Sequence, residues 1–200
     1  PADSDGTPVL RAVATDGHRL ARVEIPLPDG AVGMPGVIIP RKTVGEVRKL
    51  LDEATDDVEI GVSDTKIRFS FGTVELTSKL IDGTFPDYQR VIPAGNEKTL
   101  TVDCKAFQAA VDRVATISTE KSRAVKLAID NGNVVLSASN ADSGSANEEV
   151  EVNYAFDPME IGFNARYLLD ITQQIEGDTA ELSLADPAAP TIIRDHADHS

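Results

Sequence analysis

The chain has no tryptophan, only nine phenylalanines and tyrosines, and a single cysteine, Cys104, in 200 residues. Without bulky aromatics, the core has to be aliphatic. One cysteine excludes an intramolecular disulfide framework and any multi-cysteine zinc site, and it fits a reducing compartment. No apolar run approaches the roughly 20 residues of a membrane span. The opening Pro1-Ala2-Asp3-Ser4-Asp5-Gly6 has neither the basic nor the apolar region of a signal peptide, so a cytoplasmic protein without membrane attachment is expected. Positive charge is also scarce: 19 Lys and Arg stand against 33 Asp and Glu, a formal net charge of −14. A surface basic all over is excluded. A local basic surface is not, because net charge sums over the whole molecule.

What is present is a folded chain of one or two domains, with 41% hydrophobic residues. Three segments carry helical periodicity. Thr43–Ala54 places Val44, Val47, Leu50 and Leu51 on one face. Cys104–Ala115 places Phe107, Ala110, Val111 and Val114 on one face, behind Asp103 as N-cap. Ala165–Ile175 places Tyr167, Leu168, Ile171 and Ile175 on one face, behind Asn164 as N-cap and ahead of Gly177. Each helix follows a short apolar strand: Val37-Ile38-Ile39, Leu100-Thr101-Val102, or Glu160-Ile161-Gly162-Phe163. Alternating strands follow each helix, one pair being joined through Asn131-Gly132, a strong hairpin signal. Pro40 and Val102 are 62 residues apart, and Val102 and Phe163 are 61 apart. A recurring supersecondary unit is implied. With several strands per helix, the class is α+β with antiparallel sheet. The chain does not begin with Met and opens directly into strand-like sequence, so it is expected to be a fragment.

The scarce cations are grouped. Arg41, Lys42, Arg48 and Lys49 fall on or beside the polar face of the first helix, Lys105 projects from the second, and Arg166 points away from the apolar stripe of the third. If the units form a ring or row, these faces form one surface that holds nucleic acid loosely.

Catalytic constellations are not apparent. Asp16 and His18 suggest part of a Ser-His-Asp site, yet no serine lies in a nucleophile elbow, and Asp16-Gly17 reads as a tight turn. His196 and His199, beside Asp195 and Asp198, lack a third nitrogen or sulfur ligand for a metal. No phosphate-binding or dinucleotide loop is present. A non-enzymatic scaffold without cofactor or metal is expected. The alternatives are a repeat scaffold that does not touch DNA, and a hydrolase using His18 and Asp16.

Four stretches are more specific: Ala14-Thr15-Asp16-Gly17-His18-Arg19-Leu20-Ala21; Ile39-Pro40-Arg41-Lys42; Thr77 through Tyr88 (TSKLIDGTFPDY); and Met159-Glu160-Ile161-Gly162-Phe163-Asn164. Together, in this order, they resemble the bacterial DNA polymerase III beta subunit, the sliding clamp family. The resemblance implies a DNA clamp fold of repeated βαβββ units, with antiparallel sheets outside and helices lining the inner face. Residues 1–88 would be the later part of the middle domain. Residues 89–200 would be the third domain without its last strand.

The family's activity would follow. Two full-length protomers close a homodimeric ring around double-stranded DNA, independent of sequence. The ring tethers the polymerase III alpha subunit, the clamp loader and other proteins carrying a Gln-Leu-x-Leu-Phe type motif, in the cytoplasm at the nucleoid. The motif pocket would take Thr15, Gly17, His18, Arg19, Leu20, Pro86, Arg90, Val91, Asn164, Tyr167, Ala188 and Pro190. The ring interface would involve Ile117 and Lys121. Ser122 stands where related clamps often carry a bulky aromatic.

Overall fold

The computed structural model describes residues 2–4, 6–52, 57–118 and 123–197. The chain divides into two compact units, Pro1–Pro86 and Asp87–Ser200.

In the first unit, β1 (Ala2–Ser4), β2 (Thr7–Thr15) and β3 (Leu20–Pro26) form one antiparallel sheet. Helix α1 (Arg41–Leu51) precedes a second sheet of β4 (Glu59–Val62), β5 (Lys66–Phe71) and β6 (Val74–Lys79). Val47 of α1 packs with Ile67, Phe69 and Phe71, the alternate residues of β5. The helix is rolled relative to the sequence expectation: Thr43 and Val47 are buried, whereas Val44 is 53% and Leu51 38% exposed. The roll gives the buried Thr43 hydroxyl a partner, since Thr43 Oγ1 lies 2.7 Å from Oγ of half-buried Ser78. The helix starts two residues earlier than expected, since Pro40 supplies an extended N-cap and lacks an N–H. The expected end at Ala54 lies outside the described residues. The expected strand Val37–Ile39 joins no ladder. It contributes the Ile38 carbonyl, which accepts the Ile81 N–H at 2.9 Å, and Ile39, which packs against the Val47 cluster; Pro35 and Pro40 on either side have no N–H to give.

The second unit is a seven-stranded antiparallel sheet wrapped on two helices. In chain order these are β7 (Lys98–Asp103), α2 (Cys104–Ala115), β8 (Ala124–Asp130), β9 (Asn133–Asn140), β10 (Gly144–Asn153), β11 (Met159–Asn164), α3 (Ala165–Thr172), β12 (Thr179–Leu184) and β13 (Ile192–Asp195). A 3-10 turn at Tyr88–Val91 precedes them. The strands lie in the order β11-β8-β9-β10-β7-β12-β13. The core is aliphatic around Phe107, with Leu100, Leu127, Ile129, Leu136, Leu168, Leu182 and Leu184 fully enclosed.

The 61-residue repeat appears here as two strand–helix–strand runs that exchange strands. The strand before α2, β7, pairs with β12, which follows α3. The strand before α3, β11, pairs with β8, which follows α2. Each strand passes into its helix with no intervening residue, and Asp103 and Asn164 cap the helices as the sequence indicates. Asp103 Oδ1 accepts the Ala106 N–H at 2.7 Å, and Asn164 Oδ1 accepts the Arg166 N–H at 3.0 Å. The first N–H of each helix is satisfied from the other run. Cys104 N–H donates to Asp178 O, and Ala165 N–H to Arg123 O, both at 2.8 Å. Arg123 takes a left-handed φ of 38° to offer that carbonyl.

Helix α3 stops at Thr172, short of the expected Ile175. Thr172 is buried, and its hydroxyl bonds back to the Leu168 and Leu169 carbonyls. The Asn131-Gly132 signal corresponds to the β8–β9 hairpin, with Gly132 at φ 86°.

Candidate nucleic-acid interface and peptide-binding residues

In the first unit, Thr15, Gly17, His18, Arg19 and Leu20 belong to a single turn joining β2 to β3. Asp16 organises it. One carboxylate oxygen accepts the backbone N–H groups of His18 and Arg19, both at 3.0 Å, and the other accepts Arg19 Nε at 3.1 Å. Thr15 Oγ1 donates to the Arg19 carbonyl and accepts the Gly17 N–H. Gly17 takes φ 86°, which a side chain would strain. These bonds lower the Asp16 pKa from 3.8 to about 2, the His18 amide first, then the Arg19 amide and guanidinium. The carboxylate is thus aimed at backbone amides and an arginine. This bonded turn leaves His18 exposed beside half-buried Arg19 and Leu20. Pro86, exposed, ends this unit.

In the second unit the indicated residues fall on three elements. Arg90 and Val91 lie on the 3-10 turn; Arg90 Nε is 2.7 Å from Asp87 Oδ2, and Val91 is 62% exposed. Asn164 and Tyr167 sit at the start of α3, both half-buried. The capping bond engages Asn164 Oδ1. Ala188 and Pro190 lie on the β12–β13 loop. Two residues that the sequence reading passed over hold this loop. Asp186 Oδ1 accepts the Ala188 and Ala189 N–H groups at 2.8 and 3.0 Å, and Asn96 Nδ2 donates to the Pro190 carbonyl at 2.8 Å and the Ser183 carbonyl at 2.9 Å. The Asp-Pro pair at 186–187 was the available turn signal.

Of the residues indicated for a ring interface, Ile117 is half-buried just past α2, its N–H on the Val114 carbonyl at 3.3 Å. Lys121 lies outside the described residues, as does Ser122.

The six indicated DNA-facing cations are all exposed. Lys49 is 3.2 Å from Glu46 and Lys105 3.7 Å from Asp178. Arg113, also on α2, donates from Nε and Nη2 to the two carboxylate oxygens of Glu148 at 2.8 and 3.1 Å. Among the described residues Arg41, Lys42 and Arg48 make no ion pair.

His196 and Asp195, weighed as metal ligands, are engaged otherwise. His196 Nδ1 lies 3.0 Å from Glu181, and Asp195 accepts the Gly177 and Ala197 N–H groups at 2.7 and 3.0 Å. Asp198 and His199 lie outside the described residues. Among the described residues no group of three or more His, Cys, Asp or Glu is placed to hold a metal ion, and no helix is long and apolar enough to cross a membrane. A cleft of about 520 Å³ opens between Lys98, the Asp130-Asn131 turn and residues 155–158, and none of the indicated residues lines it.

Comparison with known proteins assigns these elements to a family. The model of the DNA polymerase III beta subunit central domain matches residues 4–87, and that of its C-terminal domain matches residues 89–200. The beta sliding clamp of Caulobacter vibrioides is 59% identical over 193 residues, which are 96% of this chain and 52% of that protein. That of Escherichia coli K12 is 37% identical over 191 residues, again 96% and 52%. Among solved structures, a sliding clamp from Bartonella birtlesii bound to griselimycin superposes with a TM-score of 0.91 at 56% identity, covering 96% of this chain and 52% of that one. The clamp from Caulobacter crescentus gives a TM-score of 0.91 at 56% identity, covering 98% and 52%. The chain spans about half the length of the curated relatives it matches. With both domain models in sequence order over nearly its whole length, the chain belongs to the DNA polymerase III beta subunit family, the bacterial sliding clamps.

Proposed function

We propose that this chain is part of a DNA sliding clamp, a processivity factor that acts by topology rather than by chemistry. In the full-length protein two protomers close a ring around duplex DNA. The observation that carries this reading is the 59% identity to a beta sliding clamp across 96% of the chain. The exposed cations on α1, α2 and α3 of a protein whose net charge is −14 support it. Such cations contact phosphates without reading bases, so binding is weak, sequence-independent and salt-sensitive. The acidic remainder of the surface repels DNA and discourages adhesion outside the ring.

A tethered polymerase experiences the primer end at a high effective concentration, and this is the source of processivity. The tether is a peptide motif of the Gln-Leu-x-Leu-Phe kind on the polymerase alpha subunit, the clamp loader and other clamp-binding proteins. In this proposal its pocket draws on the Thr15–Leu20 turn, Pro86, Arg90, Val91, Asn164, Tyr167, Ala188 and Pro190. Apolar walls receive the motif's leucine and phenylalanine, and Arg90 and Asn164 supply hydrogen bonds. The protein works in the cytoplasm, at the nucleoid, and needs no cofactor.

The test uses the full-length protein. Loaded onto nicked circular DNA by the clamp loader, it should stay bound through a high-salt wash and be released when the circle is linearised. Equal retention on linear and circular DNA overturns the ring. In parallel, a fluorescent motif peptide should bind saturably and lose that binding in L20D/R90A; unchanged binding by that variant overturns the pocket assignment.

A further inference from the structure

Among the described residues Arg123 is the one non-glycine with a positive φ, at 38°. The seven other positions with positive φ are all glycine, because a Cβ in this region crowds the neighbouring carbonyl. The Arg123 carbonyl is presented to α3 in this conformation, but presenting a carbonyl to a helix start does not require it. Asp178 stands just before β12 as Arg123 stands just before β8. Its carbonyl receives the Cys104 N–H at 2.8 Å, the distance the Arg123 carbonyl keeps from the Ala165 nitrogen. Asp178 does so without a positive φ. Glycine or asparagine at 123 would hold the same bond at lower cost. The strain therefore goes with the arginine side chain, and residues held in such conformations cluster at ligand clamps and switch regions.

The location gives that side chain a task. Ala124 pairs with Asn164 across β8 and β11, and the bond to the Ala165 N–H fastens Arg123 to the start of α3. Asn164 and Tyr167, both assigned to the peptide site, stand at that start. Arg123 is exposed, and among the described residues it makes no ion pair. Other cations of this unit are engaged: Lys126, further along β8, lies 3.1 Å from Glu160, and Arg113 is held by Glu148. An unpaired guanidinium on a protein of net charge −14 is a local attractor for anions. Its planar fork of donors matches a carboxylate.

We propose that Arg123 is a specificity residue of the peptide site: it receives a carboxylate that a partner peptide carries beside its Gln-Leu-x-Leu-Phe motif, either an acidic side chain or the peptide's own C-terminus. The apolar anchors of the motif then decide whether a peptide binds, and Arg123 ranks the peptides that do. The inference rests on the clamp reading and deepens it, since it adds a charge preference among partners to a site described so far by its apolar walls.

The experiment measures binding of fluorescent peptides to the full-length protein by anisotropy. All share the motif with alanine at its variable position. One has neutral flanks and an amidated end, one has the same flanks and a free C-terminal carboxylate, and one carries a glutamate before the motif and an amidated end. Wild type should bind at least one of the two acidic peptides about threefold or more tighter than the neutral one, and added salt should shrink the difference. The acidic peptide that gains names the source of the carboxylate. R123N and R123G should bind the neutral peptide as wild type does and lose the preference, whereas K126Q should keep it. Both variants at 123 should melt no lower than wild type. No preference in wild type, an undiminished one in R123N, or an equal loss in K126Q overturns the role of Arg123 and leaves the clamp reading intact. Lower melting temperatures in both R123N and R123G overturn the premise that the arginine backbone is strained. Failure of wild type to bind any of the three peptides overturns the peptide site itself.

Discussion

The carboxylate of Asp195 occupies the space that a side chain on Gly177 would fill. A Cβ there would lie 2.6 Å from Oδ1, and the same carboxylate accepts the Gly177 N–H at 2.7 Å. The contact fastens the end of β13 to the turn after α3. The φ of Gly177 is not in the left-handed region, so the glycine is required by proximity and not by backbone conformation.

Gly177→Ala is therefore expected to lower the melting temperature by a few degrees, against the usual gain from Gly→Ala at an unstrained site. Asp195→Ala should do the same, and the double variant should fall little below either single one, because both break the same interaction. Thermal denaturation of the four proteins checks this; full additivity would show that the two residues act separately.

Glu181 is a carboxylate buried within the sheet, opposite Arg194 on β13, with Arg194 Nη2 at 2.5 Å and His196 Nδ1 at 3.0 Å. Burial pushes its pKa up, but the hydrogen bonds and charges of Arg194 and His196 push harder, and the net shift is below 4.5. A carboxylate with a depressed folded pKa stabilises the fold above its unfolded value and loses that contribution as pH falls through the folded one. Glu181→Gln should cost about 1–3 kcal/mol at neutral pH. The gap between variant and wild type should close as pH drops below about 4.5. Urea melts at pH 7 and pH 3.5 measure both.

Asp16 should titrate near 2 when followed by carboxyl carbon NMR. The sign is again that of a depressed acid: the turn is held above the ordinary 3.8 and released as pH falls through about 2. Asp16→Ala removes the acceptor for two amides at once. Faster hydrogen exchange at His18 and Arg19 in that variant, with exchange in β12 unchanged, is the expected local signature.

Cys104 is enclosed at the start of α2, with Sγ 3.5 Å from the Thr172 carbonyl. Burial, then the charges of Asp103 and Asp195, raise its pKa above 9.0. The thiol should react with a disulfide reagent at pH 8 far more slowly in the native protein than in urea, since the thiolate is the nucleophile. Comparable rates in the two states would place the thiol outside the core.

Much of this organisation is legible in the amino-acid order. The Phe107, Ala110, Val111 and Val114 stripe, the Asp103 and Asn164 caps and the Asn131-Gly132 hairpin all follow from local spacing and turn chemistry, and these are strong local signals. The roll of α1 was hidden because apolarity alone favours Val44 over Thr43. Only the partner hydroxyl, Ser78, 35 positions away, makes Thr43 the buried residue. Period counting revealed two strand–helix–strand runs but not their exchange, since a period says nothing about which strand pairs with which. At the candidate site, Asp16-Gly17 announced its turn. The hold of Asn96 on the β12–β13 loop spans 94 positions to Pro190 and left no local trace.

The exchange of strands between the two runs of the second unit has a consequence for modularity. Neither run is complete by itself: β7 keeps β10 but loses β12, β11 loses β8, and each helix loses the carbonyl that receives its first N–H. The two are complementary in the same way in both directions, β7 to β12 and β11 to β8. The C-terminal unit is therefore two interlocked halves in one chain, and cutting between β10 and β11 would take from each half a strand partner that the other supplies.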